Sequence, residues 1–131
     1  EGMKLKDVPD PQSRVFTAQY GLEGGMKAAE EIVQSGISFT GVVCGEDITA
    51  IGIMKELKKR GFRVPEDVVV TGCNNSPESR ICEPELTTLD NKPELLGGMC
   101  ASLLRDRMEG KESATSVAIQ PQLVVRGSAL F

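Results

Sequence analysis

Short, continuous apolar runs alternate along this chain with longer stretches in which apolar residues recur every three or four positions. Gly41-Val42-Val43-Cys44 and Val68-Val69-Val70-Thr71 have the length and branching of buried strands. A small polar cluster follows each: Gly45-Glu46-Asp47 after the first, Gly72-Cys73-Asn74-Asn75 after the second. Between the runs, Ile48, Ile51, Met54 and Leu57 recur at helical spacing, and Asp47 is placed to cap that helix. It ends in Lys58-Lys59-Arg60-Gly61, where basic residues suit the negative end of a helix dipole.

The same reading extends outward in both directions. Residues 14–19 form a strand-like run after Pro9 and Pro11, and residues 21–35 carry Leu22, Met26, Ala29, Ile32 and Val33 on one helical face. Gly36 is a stop for that helix, and residues 39–44 make the second strand. Val64-Pro65-Glu66-Asp67 turns the chain into the third strand, and residues 86–89 form a short fourth. Residues 92–109 read as a helix with Asn91 as its cap, Pro93 in the first turn and Gly110 at the end. Its apolar positions (Leu95, Leu96, Met99, Cys100, Leu103 and Leu104) span a broad face that needs burial against something larger than this chain. Residues 115–119 and 123–125 are two further strand-like runs around Pro121.

Alternating strands and helices predict an α/β fold: one domain over 1–131, a mostly parallel sheet with helices on both faces. In such sheets the carboxyl ends of the strands share one edge, and small ligands bind there. The two polar clusters therefore read as half of a ligand cleft. Composition narrows the chemistry. The net charge of −4 disfavours a nucleic-acid surface on this piece, and no apolar run approaches the ~20 residues of a membrane span. Four cysteines without C-x-x-C spacing and no histidine argue against zinc and for free thiols. No G-x-G-x-x-G or G-x-S-x-G is present, and Glu46 and Asp47 are adjacent, so no acid–base pair converges. The expectation is a binding module with no catalytic residue, metal or cofactor.

Five ordered blocks carry a resemblance. Asp47-Ile48-Thr49-Ala50-Ile51-Gly52, Gly61-Phe62-Arg63-Val64-Pro65-Glu66-Asp67-Val68, Gly72-Cys73-Asn74-Asn75, Pro84-Glu85-Leu86-Thr87-Thr88 and Leu123-Val124-Val125-Arg126-Gly127-Ser128 resemble, in order, the LacI/GalR family of bacterial transcriptional regulators. The resemblance implies a flavodoxin-like, periplasmic-binding-protein-like lobe, the C-terminal half of an effector-binding core. It implies that the helix-turn-helix headpiece, the hinge and the first lobe lie outside this chain. The helix over 92–109 is then expected to pack on that other lobe. The implied function is effector sensing by a cytoplasmic regulator, a repressor, that answers to a sugar or nucleoside-like molecule. Operator DNA would be bound only through the headpiece. The alternative is one lobe of a periplasmic sugar-binding protein of a transporter.

Carried over by position, the effector residues are Tyr20, Glu46, Asp47, Asn74 and Asn91. An exposed ring at Tyr20 can stack on a ligand, or it can sit at the edge of the core with its hydroxyl in water. Asp47 and Asn91 are equally at home as helix caps. The sequence departs from the family where Glu46 replaces an amide and Cys73-Asn74-Asn75 replaces an aromatic followed by two aspartates. Charge has thus moved from the third-strand loop to the second, which suits a polyol or an amine-bearing ligand. A homodimer is also implied, through Ala50, Ile51, Met54 and Leu57 with Ile81 and Cys82; core packing explains the same helix stripe.

Overall fold

A computed structural model describes residues 11–111 and 116–130. Strands β1 (Gly41–Val43), β2 (Val69–Cys73), β3 (Thr87–Asp90) and β4 (Gln122–Val124) form one sheet in the order β1-β2-β3-β4. The first two pairings are parallel and the last is antiparallel: Val43 lies opposite Thr71, Cys73 opposite Leu89, and Leu89 opposite Leu123. Helices α1 (Leu22–Gln34), α2 (Asp47–Lys59) and α3 (Pro93–Met108) and two 3-10 turns, Pro11–Arg14 and Pro77–Arg80, complete the described elements.

The core forms where α2 meets α1 and the sheet. Ala50, Ile53, Met54 and Leu57 pack with Ala28, Ala29, Val68, Val70 and Leu86. Along β2 the pleat buries Val70 and Gly72 and leaves Val69, Thr71 and Cys73 half-buried. Ala50, Met54 and Leu57, expected to offer surface for self-association, are buried to 1% exposure or less within this chain. Their side chains are consumed by the core, so they supply no surface to a second copy.

Gly25 and Gly52 let α1 and α2 touch backbone to backbone. A Cβ on Gly52 would lie 2.1 Å from the Leu22 carbonyl oxygen, and one on Gly25 would lie 2.1 Å from that of Thr49. At the far end, Arg60 ties the helices together, its Nε on Glu56 and its Nη2 on Glu30, each at 2.7 Å. Phe39 and Phe62 stack with centroids 5.8 Å apart beside this layer.

Several expectations are corrected. Residues 15–19 form no strand and pair with none of the described strands, so β1 is the outermost strand of the sheet. Val15 is left 61% exposed. Residues 116–119 are likewise irregular. Pro9, which precedes the first of these runs, and Thr115, which opens the second, lie outside the described residues. Helix α2 packs against β2 and α1 packs against α2, while α3 buries no residue. Val43 is 88% exposed.

Two outcomes follow from this packing. Gly52→Ala forces the helices apart and should lower stability by about 1–3 kcal/mol in urea denaturation; an unchanged midpoint would contradict the close approach. Hydrogen bonds from Arg63, from its side chain and its backbone N–H, hold the Asp67 carboxyl down at about 2. A depressed carboxylate stabilises the fold above the ordinary range near pH 4 and loses that contribution as pH falls towards 2. Asp67→Asn should flatten the stability profile between about pH 4 and pH 2; an identical profile in both proteins would refute the pairing.

Candidate functional site

The parallel arrangement of β1, β2 and β3 brings three loops to one edge: residues 44–47, 74–76 and 90–92. Their meeting is organised from beneath by Asp47, which is 1% exposed. Its Oδ1 accepts from the Thr88 hydroxyl and its Oδ2 from the Ser76 backbone N–H, both at 2.6 Å. Asp47 therefore bolts the β1 loop to β3 and to the β2 loop. It is not the helix cap expected of it. The cap is Glu46, whose side chain accepts from the Thr49 N–H at 3.2 Å. With both oxygens committed inside the protein, Asp47 is the one predicted effector residue that shows no face to solvent.

Glu46 does face the edge. Its Oε1 gathers the Thr49 N–H, the Thr49 hydroxyl and the Gly21 N–H, the last at 3.3 Å. Oε2 has no partner among the described residues, which leaves an acceptor open beside the Tyr20–Gly21 peptide. Tyr20 itself is 85% exposed. Burial, with Glu46 and Asp47 close by, pushes the neighbouring Cys44 thiol up to about 12, so it stays protonated and unreactive.

Across the edge, Asn74 and Asn91 are brought together. The Asn91 amide donates from Nδ2 to Asn74 Oδ1 at 2.9 Å and reaches Cys73 Sγ at 3.2 Å. Asn91 is consequently not the cap of α3. The residue at that position is Lys92, left-handed at φ 50, whose N–H is taken by Asp90 Oδ1 at 2.8 Å. The pair leaves Asn74 Nδ2 as a donor and Asn91 Oδ1 as an acceptor. Asn74 and Asn75 occupy φ 99 and φ 51, a left-handed conformation that asparagine tolerates better than most residues. Asn75 turns inward: its N–H donates to Thr88 Oγ1 and its Nδ2 to Asp90 Oδ2, each at 3.3 Å.

Thr88, Ser76, Asn75 and Asp90 were not among the predicted site residues, yet they set the loop geometry. The sequence signal for them was present in the paired threonines and paired asparagines, polar residues at the ends of apolar runs. Two surface hollows lie elsewhere, around Phe62, Arg63 and Val64 and around Ile51, Lys55, Cys82 and Glu83. Neither touches the strand-end edge. Among the described residues no group of three or more metal-ligating side chains converges. Among the described residues no helix is long and apolar enough to cross a membrane.

What this edge offers is a carboxylate oxygen, two amides and an aromatic ring. The family model for the periplasmic binding protein-like domain matches residues 2–129. The chain belongs to that family. Its relatives include the HTH-type transcriptional repressor PurR of Photorhabdus laumondii, 34% identical over 131 residues, 99% of this chain and 38% of that protein. Among solved structures, the transcriptional regulator CelR in complex with cellobiose superposes with a TM-score of 0.89 at 26% identity, over 97% of this chain and 39% of that one. A LacI family transcriptional regulator from Arthrobacter sp. FB24, in complex with lactose, gives a TM-score of 0.78 at 26% identity, over 86% and 44%. The chain therefore spans 38% to 44% of the length of these relatives.

The geometry separates a buried structural carboxylate from the amide pair at the exposed edge. Asp47→Ala removes two hydrogen bonds to a buried charge and should cost at least about 2 kcal/mol. Asn91→Ala, at the open edge, should change stability by less than about 0.5 kcal/mol. Equal losses in thermal or urea melts would contradict the division.

Proposed function

We propose that this chain is the effector-sensing lobe of a LacI-type transcriptional regulator that answers to a sugar or nucleoside-like molecule. The observation that carries the reading is the strand-end edge. There, Glu46 Oε2, Asn74 Nδ2 and Asn91 Oδ1 stand unused beside an exposed Tyr20. Such a mixture of acceptors and donors suits hydroxyl-rich ligands, and a carboxylate can take two neighbouring hydroxyls. Relatives solved with cellobiose and with lactose support the same ligand class. Asp47 serves this site as the support of its loops.

The remaining parts of the reading concern the parent protein. The open apolar side of α3 packs on a partner lobe, and an effector held between the two lobes shifts the balance of open and closed arrangements. Operator DNA is contacted by a headpiece elsewhere in the parent, which works in the cytoplasm as a repressor. Self-association uses Ile51, Ile81 and Cys82, which keep exposure where Ala50, Met54 and Leu57 do not. Catalysis has no place in this account.

Nuclear magnetic resonance titration of the labelled chain with cellobiose and with adenosine tests the site. One of the two should move the signals of Asn74, Asn91 and Thr49, and Glu46→Ala should weaken that response about tenfold or more. Responses confined to the Ile51–Cys82 hollow, or a titration indifferent to Glu46→Ala, would overturn the proposal.

A further inference from the structure

We propose that Arg126 is a positioning residue: it sets the shape of the β2 loop at the ligand edge and couples that loop to the Pro77–Arg80 turn. The proposal rests on the strand-end edge being the effector surface. Arg126 follows β4, and its side chain is only 11% accessible. Its backbone is fixed to the start of β3, with its N–H on Thr87 Oγ1 at 2.8 Å and its carbonyl accepting from the same hydroxyl at 3.0 Å. From that anchored root the guanidinium reaches two separate elements at once.

Nη2 donates to Asn75 Oδ1 at 2.6 Å. Nη1 donates to Ser79 Oγ at 3.0 Å and to the Leu86 carbonyl at 2.8 Å. Nε lies 3.7 Å from Glu85 Oε2. Among the described residues no other cationic side chain bonds to residues 73–76. The planar fork matters, because an ammonium on a flexible stem cannot hold both ends in fixed directions.

What it holds is a tight turn. Asn74 and Asn75 are both left-handed, a conformation less favoured than the right-handed one even for asparagine, so an outside restraint helps to fix it. The Asn75 side chain has one further restraint, Asp90 at 3.3 Å. Release from Arg126 lets the turn relax and carries Asn74 away from Asn91, altering the donor and acceptor presented at the edge. At its other end the fork grips Ser79, which is wholly buried and whose hydroxyl donates to the Ser76 carbonyl at 2.6 Å. Two residues on stands Ile81, 83% exposed. A displacement of Asn75 is thereby passed to the turn that bears Ile81.

A double-mutant cycle read by nuclear magnetic resonance on the full chain tests this. Asn75→Ala should shift the Ser79 and Ile81 amide signals when Arg126 is present and leave them unmoved in Arg126→Lys. An equal response in both backgrounds would overturn the coupling. Arg126→Lys alone should make the Asn74 amide exchange about tenfold faster while the circular dichroism spectrum is kept; unchanged exchange would overturn the positioning role. Should Arg126→Lys not fold, Ser79→Ala reads the same link from its other end and should shift the Asn75 side-chain amide, with no shift counting against the proposal. Wild-type chain indifferent to cellobiose and adenosine would defeat the effector reading while leaving the outcome of the cycle standing.

Discussion

One buried carboxylate holds the strand-end edge of this domain together. Asp47 sits at the first turn of α2 with each oxygen bonded to a different element, Thr88 on β3 and Ser76 after β2. A charge removed from water is tolerable only when such bonds replace its hydration, so the three loops are constrained to converge on it. Gly72 makes room for this arrangement: a Cβ there would lie 2.3 Å from Asp47 Oδ1. Everything exposed at the edge, from Glu46 to Asn91, inherits its position from that buried point.

The convergence explains how two neighbouring acidic residues divide their work. Glu46, one residue earlier, keeps an oxygen open, while Asp47 spends both inside. It also explains why the asparagines sit as they do. Asn75 is drawn inward by Thr88, Asp90 and Arg126, and this leaves Asn74 outward, paired with Asn91. The segment around Arg126 and Ser128 completes the frame, since Ser128 Oγ donates to the Val70 carbonyl and accepts from the Thr87 N–H. A single polar web therefore joins the Arg126–Ser128 segment, the start of β3 and the strand-end edge.

Much of this was legible in the sequence, and the parts that were not share a cause. Periodicity located α1, α2, α3 and the central strands to within a few residues, because their apolar stripes reflect burial or a demand for it. The LacI/GalR resemblance placed Glu46, Asn74 and Asn91 near one edge. Periodicity could not separate a core stripe from a surface, so Ala50, Met54 and Leu57 were assigned outward when α1 and β2 cover them. Nor could it supply a partner strand for residues 14–19, since pairing depends on what lies alongside. The caps were misplaced by one residue at both helices, where Asp47 and Asn91 were drawn into tertiary bonds that local pattern does not encode.

The Ser76 backbone N–H reports most directly on the central constraint. Its bond to Asp47 Oδ2 places a loop amide under the protection of the core, although the residue lies outside any strand. Hydrogen exchange at that one amide should be slowed to the range of the buried Val70 amide in β2. Exchange at the rate of an unstructured loop amide would mean that Asp47 does not hold the loops, and the account of the edge would fail with it.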